Sequence, residues 1–260
     1  MKICSFNVNS IRTRKELIVQ WYREKASEID IFCFQETKVI DKDFPFPIFV
    51  EVGLSCECFG QKSYNGVAIC SSKPLTDIKK GFGEEEWDYE KRLILGRFKQ
   101  IWIINIYAPR GGERGSDKFY YKLNWFKHFK DFLSDNFKKD DKIIIVGDMN
   151  VARNDIDVFD PVLMKDHICT MPEEREVFED LLSWGLVDSF RYLYPDKQQF
   201  TWWDYIGGAI WKNEGMRLDY ILCSEPLKDK IKDVIVDLWP RRRRIPKPSD
   251  HAPIIAEFDI

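Results

Sequence analysis

The chain has 260 residues, of which 44% are hydrophobic and 32% charged, and its net charge is −3. This length suits one large domain with a sizeable core, and the composition is that of a soluble globular protein. No apolar run approaches the roughly 18 to 20 residues that cross a bilayer, and the first residues lack the apolar core of a signal peptide. We therefore expect a cytoplasmic protein without membrane association. The small negative charge does not exclude nucleic-acid binding, because a local basic patch is sufficient.

The cysteine content also indicates a cytosolic protein. There are seven of them, an odd number, and only Cys56 and Cys58 are close together in sequence. A Cys-Glu-Cys segment without a second pair is a poor zinc site. The sequence therefore predicts reduced, mostly buried thiols of a cytosolic protein.

The first half of the chain combines short apolar runs with one helical segment. Apolar runs rich in β-branched residues predict strands at residues 2–8, 29–34, 67–70, 93–98 and 101–107, the last two as a hairpin. Thr13 and Glu16 have the spacing of a capping box, and they precede an apolar helical face that includes Leu17 and Trp21. Residues 81–89 are predicted to form an acidic loop.

The second half contains two longer helices and a buried strand. A helix is predicted from Ser116, because apolar residues between Phe119 and Leu133 recur at helical spacing. Residues 143–146 predict a strand buried on both faces. Thr170 and Glu173 form a second capping box at the start of a helix that ends at Gly185. Further strands are predicted at 216–222, 234–238 and 253–258.

The order of these elements indicates the class of fold. Many strands and few helices, without regular βαβ alternation, predict two packed sheets with helices outside them. No linker is long enough to separate domains, so we expect a single domain covering residues 1–260.

Polar side chains stand at the ends of five predicted strands, and a carboxylate lies within a sixth. They are Asn7, Glu36, Tyr107, Asp148 with Asn150, Asp250 with His251, and, in the sixth strand, Asp219. Taken singly, most of these are best explained as turn residues or solvated strand ends. Together they form an oxygen-rich set that suits a hard cation such as Mg²⁺ and not zinc. Without a nucleophile elbow or a Walker loop, the set indicates a Mg²⁺-assisted hydrolase of phosphate esters.

Nine segments, in order along nearly the whole chain, carry a specific resemblance. They read SFNVNSIRTR, FQETK, NGVAI, NIYAPRG, GDMN, EREVFEDLLSWGLVDSFRYLYP, FTWWDY, GMRLDYIL and KPSDHAP. The chain resembles the exonuclease III class of abasic-site (AP) endonucleases, in the endonuclease/exonuclease/phosphatase superfamily. The resemblance implies an α/β fold, a four-layered α/β sandwich in which two packed mixed β-sheets are flanked by helices.

The resemblance also implies an activity, a cofactor and a partner. The implied enzyme is a monomeric DNA-repair nuclease that hydrolyses the phosphodiester 5′ of abasic sites in double-stranded DNA. It also trims 3′ ends as a 3′–5′ exonuclease. The implied cofactor is Mg²⁺, with Mn²⁺ as the alternative ion.

The family's site residues are carried over position by position. The resemblance assigns catalytic roles to Tyr107, Asp148, Asn150, Asp219 and His251. It assigns metal binding to Asn7, Glu36, Asp148, Asn150 and Asp250. It assigns DNA contact to Lys38, Arg110, Trp202, Met216, Arg217 and Leu218, with residues 241–244, an arginine run, as a further candidate beside a plain solvated loop.

Several alternatives remain open. Either Asp148 or His251 deprotonates the water, and we favour Asp148, with His251 as a phosphate contact. Arg110, Met216 and the 161–171 segment differ from many relatives, so the enzyme could be mainly a 3′–5′ exonuclease with weak AP endonuclease activity. A non-catalytic DNA-binding relative, or a superfamily member acting on phosphoinositides, sphingomyelin or RNA tails, is the remaining alternative.

Overall fold

The computed structural model describes residues 1–260, which form fourteen strands and seven α-helices. The strands are β1 Lys2–Asn7, β2 Ile31–Gln35, β3 Ser55–Phe59, β4 Val67–Ser71, β5 Thr76–Lys80, β6 Leu93–Phe98, β7 Ile101–Tyr107, β8 Ile143–Asp148, β9 Leu186–Asp188, β10 Trp202–Trp203, β11 Gly215–Met216, β12 Asp219–Ser224, β13 Ile231–Val236 and β14 Ile254–Phe258. The helices are α1 Ile11–Trp21, α2 Phe46–Val50, α3 Glu85–Asp88, α4 Asp117–Asn136, α5 Pro172–Leu182, α6 Ser189–Leu193 and α7 Ala209–Lys212. No helix is both long enough and apolar enough to cross a membrane.

Two six-stranded mixed sheets form the centre of the molecule. Sheet A has the order β13-β14-β1-β2-β4-β3, and sheet B has the order β5-β6-β7-β8-β12-β9. Each sheet contains one parallel pair, β1 with β2 in sheet A and β7 with β8 in sheet B, and its other pairs are antiparallel. The carboxyl ends of both parallel pairs meet at one edge, since Asn7 at the end of β1 hydrogen-bonds Asp148 at the end of β8.

The sheets pack face to face, and helices cover their outer faces. Apolar side chains of both sheets fill the space between them, with Ile69 of sheet A and Ile144 of sheet B in one buried cluster. Trp21 of α1 packs edge-on against Phe32 of sheet A, with ring centroids 5.9 Å apart. Helices α4 and α5 cover sheet B, where their aromatic side chains join a separate buried cluster. These layers confirm the predicted four-layered sandwich.

A polar bridge crosses the apolar layer between the sheets. The Gln35 amide of β2 donates to Asn105 Oδ1 of β7 at 2.7 Å, and Asn105 donates to the carbonyl oxygen of Ala68 at 2.9 Å. Both side chains are fully buried. Buried polar groups of this kind specify one arrangement, because any shift leaves them unpaired. The bridge therefore fixes the register of the two sheets beside Glu36 and Tyr107.

Both predicted capping boxes are wrong. Helix α1 begins at Ile11, because the Ser10 hydroxyl oxygen accepts the amide hydrogen of Thr13 at 3.4 Å. Helix α5 begins at Pro172, and the Thr170 hydroxyl instead donates to the Met164 carbonyl at 2.5 Å.

Several strand and loop assignments also differ from the sequence prediction. The predicted 216–222 strand is two strands, β11 and β12, separated by two residues. The predicted loop at 81–89 contains α3, and strands β3 and β5 had no predicted counterpart. Strand β5 is exposed along its length, so no apolar run marks it.

One pair of cysteines contradicts the prediction of free thiols. Cys56 and Cys70 face each other across β3 and β4 and form a disulfide. The other five cysteines are free and buried. Burial raises the pKa of the Cys58 and Cys169 thiols to about 12, which makes them poor nucleophiles at neutral pH.

Candidate active site

Asn7 joins the two sheets at the edge where the polar strand ends meet. Its Nδ2 donates to Glu36 Oε1 and to Asp148 Oδ2, each at 2.9 Å, and its Oδ1 accepts from the Asn9 amide at 3.0 Å. In this orientation Asn7 presents a hydrogen-bond donor to the two carboxylates, and not the predicted ligand oxygen. Asn7 therefore orients two acidic groups that belong to different sheets.

An Asp–His–Asp cluster lies next to this junction. Asp219 faces Asp148 directly in the antiparallel β12–β8 pair, and His251 lies three residues before β14 begins. The His251 Nδ1 atom lies 2.8 Å from Asp219 Oδ2, and its Nε2 atom lies 3.7 Å from Asp148 Oδ2. All three side chains are buried. The two carboxylates fix the orientation of the ring.

Burial and mutual attraction shift the pKa values of this cluster. Burial opposes the charge of His251, but the attraction of Asp219 and then of Asp148 outweighs it and raises the pKa of His251 to about 10. Burial raises the pKa of Asp148 to about 7, although the attraction of His251 opposes this change. The imidazole is therefore a cationic donor at neutral pH, and Asp148 can exchange a proton near neutrality.

The loop after β8 holds Asp148 in place. At Gly147, where φ is +153°, a Cβ atom would lie 1.9 Å from the Ile106 carbonyl oxygen, so only glycine lets β7 approach. Asn150 adopts a left-handed backbone, with φ of +51°, and its amide hydrogen is donated to Asp148 Oδ1 at 2.9 Å. Its side-chain nitrogen donates to the Ala108 carbonyl at 3.0 Å. Asn150 thus links the loops that follow β7 and β8.

Glu36 and Asp250 complete the acidic rim. Lys38 Nζ lies 2.7 Å from Glu36 Oε2, so the residue predicted to contact DNA is paired with a predicted metal ligand. Asp250 accepts from Asn9 Nδ2 at 3.0 Å and from Trp202 Nε1 at 3.1 Å. Burial opposes its charge, but attraction by the neighbouring imidazole and these hydrogen bonds hold the pKa of Asp250 below its usual value.

The donor set of this rim fits a divalent cation. Glu36, Asp148 and His251 each place one ligand-type atom within 4.8 Å of the other two. Mg²⁺ suits such a rim, because it usually binds only one or two protein carboxylates and completes its shell with water and substrate phosphate oxygens. The ammonium of Lys38 beside Glu36 shows that positive charge is stabilised here. Asp250 is adjacent in sequence to His251 but lies outside this tight group.

Tyr107 faces the same acidic groups. Burial, followed by the negative charges of Glu36 and Asp148, raises the pKa of its hydroxyl, which stays protonated and can donate a hydrogen bond. The Arg92 guanidinium lies 4.8 Å from the ring centroid and donates to the Tyr107 carbonyl at 3.1 Å. The sequence analysis did not identify Arg92 as a functional residue. The only sequence feature that marks this residue is a positive charge next to β6.

Three of the residues predicted to contact DNA, Trp202, Met216 and Leu218, do come together. Met216 and Leu218 are buried in a small cluster, and the half-buried Trp202 packs against it. Trp202 pairs with Met216 in the β10–β11 ladder and with His251 through an isolated bridge. The partly exposed Trp202, with the buried Met216 and Leu218 packed behind it, therefore lies directly beside the Asp–His–Asp cluster.

The prediction that Arg217 contacts DNA is wrong. Its side chain is fully buried, with Nε 2.7 Å from Asp157 Oδ1 and Nη1 2.8 Å from Asp188 Oδ2. Both sides of the guanidinium therefore face carboxylates inside the protein, and no phosphate can reach it.

The arginine run divides into one structural and several surface residues. Arg241 is buried and donates to the carbonyls of Trp203 and Asp250. Arg243 stacks on Trp239, with 3.7 Å between the guanidinium carbon and the ring centroid. Arg242 and Arg244 are exposed, as is Arg110 in the loop after β7. Arg241 anchors the run to the segment that carries His251.

Comparisons with known proteins identify the family of this chain. Residues 4–251 match the Endonuclease/Exonuclease/phosphatase family. The chain is 35% identical to exodeoxyribonuclease III of Haemophilus influenzae, over 99% of this chain and 100% of that protein. An AP endonuclease structure from Archaeoglobus fulgidus is 38% identical, with a TM-score of 0.95 and full coverage of both chains. The 3′ phosphatase NExo from Neisseria, bound to a product DNA hairpin, is 36% identical, with the same TM-score and coverage. The chain therefore belongs to the endonuclease/exonuclease/phosphatase family.

Proposed function

We propose that this chain is a Mg²⁺-dependent DNA-repair nuclease that hydrolyses the phosphodiester 5′ of abasic sites and removes nucleotides from 3′ ends of duplex DNA. The observation that carries the proposal is the buried Asp148–His251–Asp219 cluster beside Glu36, at the edge where both sheets end. The names of the exodeoxyribonuclease III and AP endonuclease relatives support both activities.

The geometry assigns different chemical roles to Asp148 and His251. Asp148 takes a proton from the attacking water, because its carboxylate is buried and has a pKa near neutrality. The Asn7 side chain and the Asn150 backbone each donate to this carboxylate and hold it in place. His251, held by Asp219, donates to a phosphate oxygen and stabilises the charge that develops there. The neutral Tyr107 hydroxyl donates a further hydrogen bond to the phosphate.

Glu36, with Asp250 alongside, would hold the divalent ion, and the Asp148 carboxylate nearby stays free to accept the proton of the attacking water. When bound, the ion stabilises negative charge on the phosphate and leaving-group oxygens as a Lewis acid. Mg²⁺ is the proposed ion because the carboxylates supply hard oxygen donors, and Mn²⁺ is the alternative.

Trp202, supported by the buried Met216 and Leu218, is the proposed apolar contact for an extruded abasic sugar. A sugar without a base has little stacking to lose on extrusion, so a small apolar pocket can select it. Lys38 and Arg110, which lie next to Glu36 and in the loop after β7, respectively, are the proposed contacts to DNA phosphates. The monomeric state and the cytoplasmic location stay predictions from the sequence.

Incision of a duplex that carries a single abasic analogue tests the proposed function. We expect a cut on the 5′ side in Mg²⁺, loss of cutting in EDTA, and recovery when Mg²⁺ is restored. An undamaged duplex with a recessed 3′ end is measured in parallel. Digestion of that end alone would favour the mainly exonucleolytic alternative, and DNA binding without any cleavage would favour the non-catalytic one. Cutting that persists in EDTA would contradict the metal requirement.

The exposed arginines predict a change in salt dependence. Replacing Arg242 and Arg244 with Ala should reduce the slope of log Kd against log salt by about 0.9 for each phosphate that the variant no longer neutralises. The measurement is fluorescence anisotropy with duplex DNA in EDTA, which prevents cleavage.

The matched control for the arginine variant is the double change Lys138→Ala and Lys139→Ala. These two exposed cations precede β8 and therefore lie at the end of the sheet opposite Asp148. The control should leave the slope unchanged. If the salt-dependence slope of the arginine variant is also unchanged, the arginine run is a solvated loop that does not contact DNA.

A further inference from the structure

A fully buried ion pair lies behind the candidate active site, between α4 and α5. Lys122 Nζ is 2.6 Å from Glu174 Oε1, and both side chains are completely inaccessible to solvent. Glu174 Oε2 accepts the amide hydrogen of Met171 at 3.1 Å, which fixes the carboxylate in the first turn of α5. No sequence motif marks this pair, because 52 residues separate its members.

The ammonium holds the backbone of both catalytic loops. Lys122 Nζ donates to the Asn150 carbonyl at 2.6 Å and to the Arg110 carbonyl at 3.2 Å. Asn150 lies two residues after Asp148, and Arg110 lies three residues after Tyr107. Together with Glu174, these carbonyls account for all three protons of the ammonium.

The backbone next to Lys122 leaves space for the lysine side chain. Gly111 has φ of +82°, and a Cβ atom there would lie 2.9 Å from Lys122 Cδ and 3.3 Å from Glu174 Oε1. Asn150 also has a left-handed backbone, with φ of +51°. Both loops therefore take unusual conformations at the points where the ammonium contacts them, and each needs a partner to hold it.

Stability alone does not account for such a pair. Removing two charges from water offsets most of their attraction, and well-packed apolar residues often replace a buried pair without loss of stability. Apolar residues cannot, however, hold two loop carbonyls. We propose that Lys122 is a positioning residue that sets Asp148 and Asn150 through the Asn150 and Arg110 carbonyls. The effect on turnover rests on the proposed nuclease function.

Three variants separate positioning from support of the fold. Lys122→Met removes the ammonium and leaves Glu174 unpaired. Glu174→Gln keeps one acceptor for the ammonium, so the bonds from Lys122 to the loops are retained, but it loses the bond from the Met171 amide and the counter-charge, so it should be less stable than wild type. The double variant Lys122→Met with Glu174→Met removes both charges and restores apolar packing. Lys130→Met is the matched control, because Lys130 joins the same two helices through a partly exposed bond to Asp180 at 2.5 Å and contacts no catalytic loop.

The proposal predicts that the variants change kcat and the melting temperature independently of each other. Lys122→Met and the double variant should lower kcat by about 10- to 100-fold with little change in KM, because the catalytic groups lose their alignment. Glu174→Gln and Lys130→Met should keep kcat within about threefold of wild type. The double variant should recover the melting temperature that Lys122→Met loses. A double variant that recovers both stability and kcat would overturn the proposal, as would a Glu174→Gln variant as slow as Lys122→Met.

Hydrogen–deuterium exchange gives a readout that does not require nuclease activity. Peptides that cover residues 108–112 and 149–152 should exchange faster in Lys122→Met and in the double variant, and at the wild-type rate in Glu174→Gln. If wild type cuts no DNA but this exchange pattern holds, only the proposed function fails. If wild type cuts DNA and the loops exchange equally in all variants, only the positioning role fails.

Discussion

Replacing Asp148 with Asn should lower the rate of abasic-site incision by about 10²- to 10⁴-fold, which is the range expected for loss of a general base. The substitution preserves the shape of the side chain but removes its ability to accept a proton from water. It also removes the negative charge beside His251 Nε2, which lies 3.7 Å away. The Asn7 and Asn150 donors both point at the carboxylate, and a carboxamide can accept through only one of its two ends.

Single-turnover kinetics with the abasic duplex in saturating Mg²⁺ measure this effect apart from product release. Asp155→Asn is the matched control, because Asp155 is an exposed residue paired with Arg175 outside the site. It should cut at the wild-type rate. Equal melting temperatures and equal DNA affinity would exclude unfolding or weak binding as the cause. An Asp148→Asn rate within tenfold of wild type would remove Asp148 as the base.

The sequence predicted the acidic centre well because strand ends are local features. Asp148 follows four apolar residues and a glycine, so its place at the end of a buried strand follows from adjacent residues. Glu36 could be placed in the same way, directly after β2, whereas Asp250 lies four residues before β14 begins. Asn7 was also placed correctly, but its role depends on which end of the amide faces the carboxylates, and no sequence pattern determines that.

The residues that the sequence missed or misassigned depend on distant partners. Arg217 lies between two residues of the apolar cluster, so it looked like a surface cation of the same segment. Its carboxylate partners are Asp157, 60 residues away, and Asp188. Lys122 lies on the apolar stripe of α4, and the sequence alone does not distinguish it from an ordinary helix lysine. Only the fold shows that Glu174 is its partner. Tertiary contacts of this kind leave no local signal in a single sequence.

The network around Arg217 carries the largest expected effect on stability. Asp157 is fully buried and accepts from Arg217 Nε at 2.7 Å and from Arg191 Nη2 at 2.5 Å. Replacing Asp157 with Asn should lower the free energy of unfolding by about 3 to 5 kcal/mol, because two arginines then share only the Asp188 carboxylate, which pairs with Arg217, and Arg191 loses its partner. Asp166→Asn is the control, since Asp166 forms a similar 2.7 Å pair with Arg114 on the surface. That exposed pair is expected to contribute about 0 to 1 kcal/mol.

The pH dependence of unfolding tests the same network independently. Burial opposes the charge of Asp157, but attraction by Arg217 and Arg191 outweighs it and holds the pKa of this carboxyl below its ordinary value. The folded state therefore binds the proton less readily than the unfolded chain, whose Asp pKa is about 3.9. The stabilisation is fully present above that value and is lost as pH falls through the folded pKa. Urea unfolding should thus show a wild-type advantage over Asp157→Asn that is constant from pH 7 to pH 5 and shrinks below about pH 4. An advantage that is equally large at pH 3 and pH 7 would show that it comes from packing and not from the charge of Asp157.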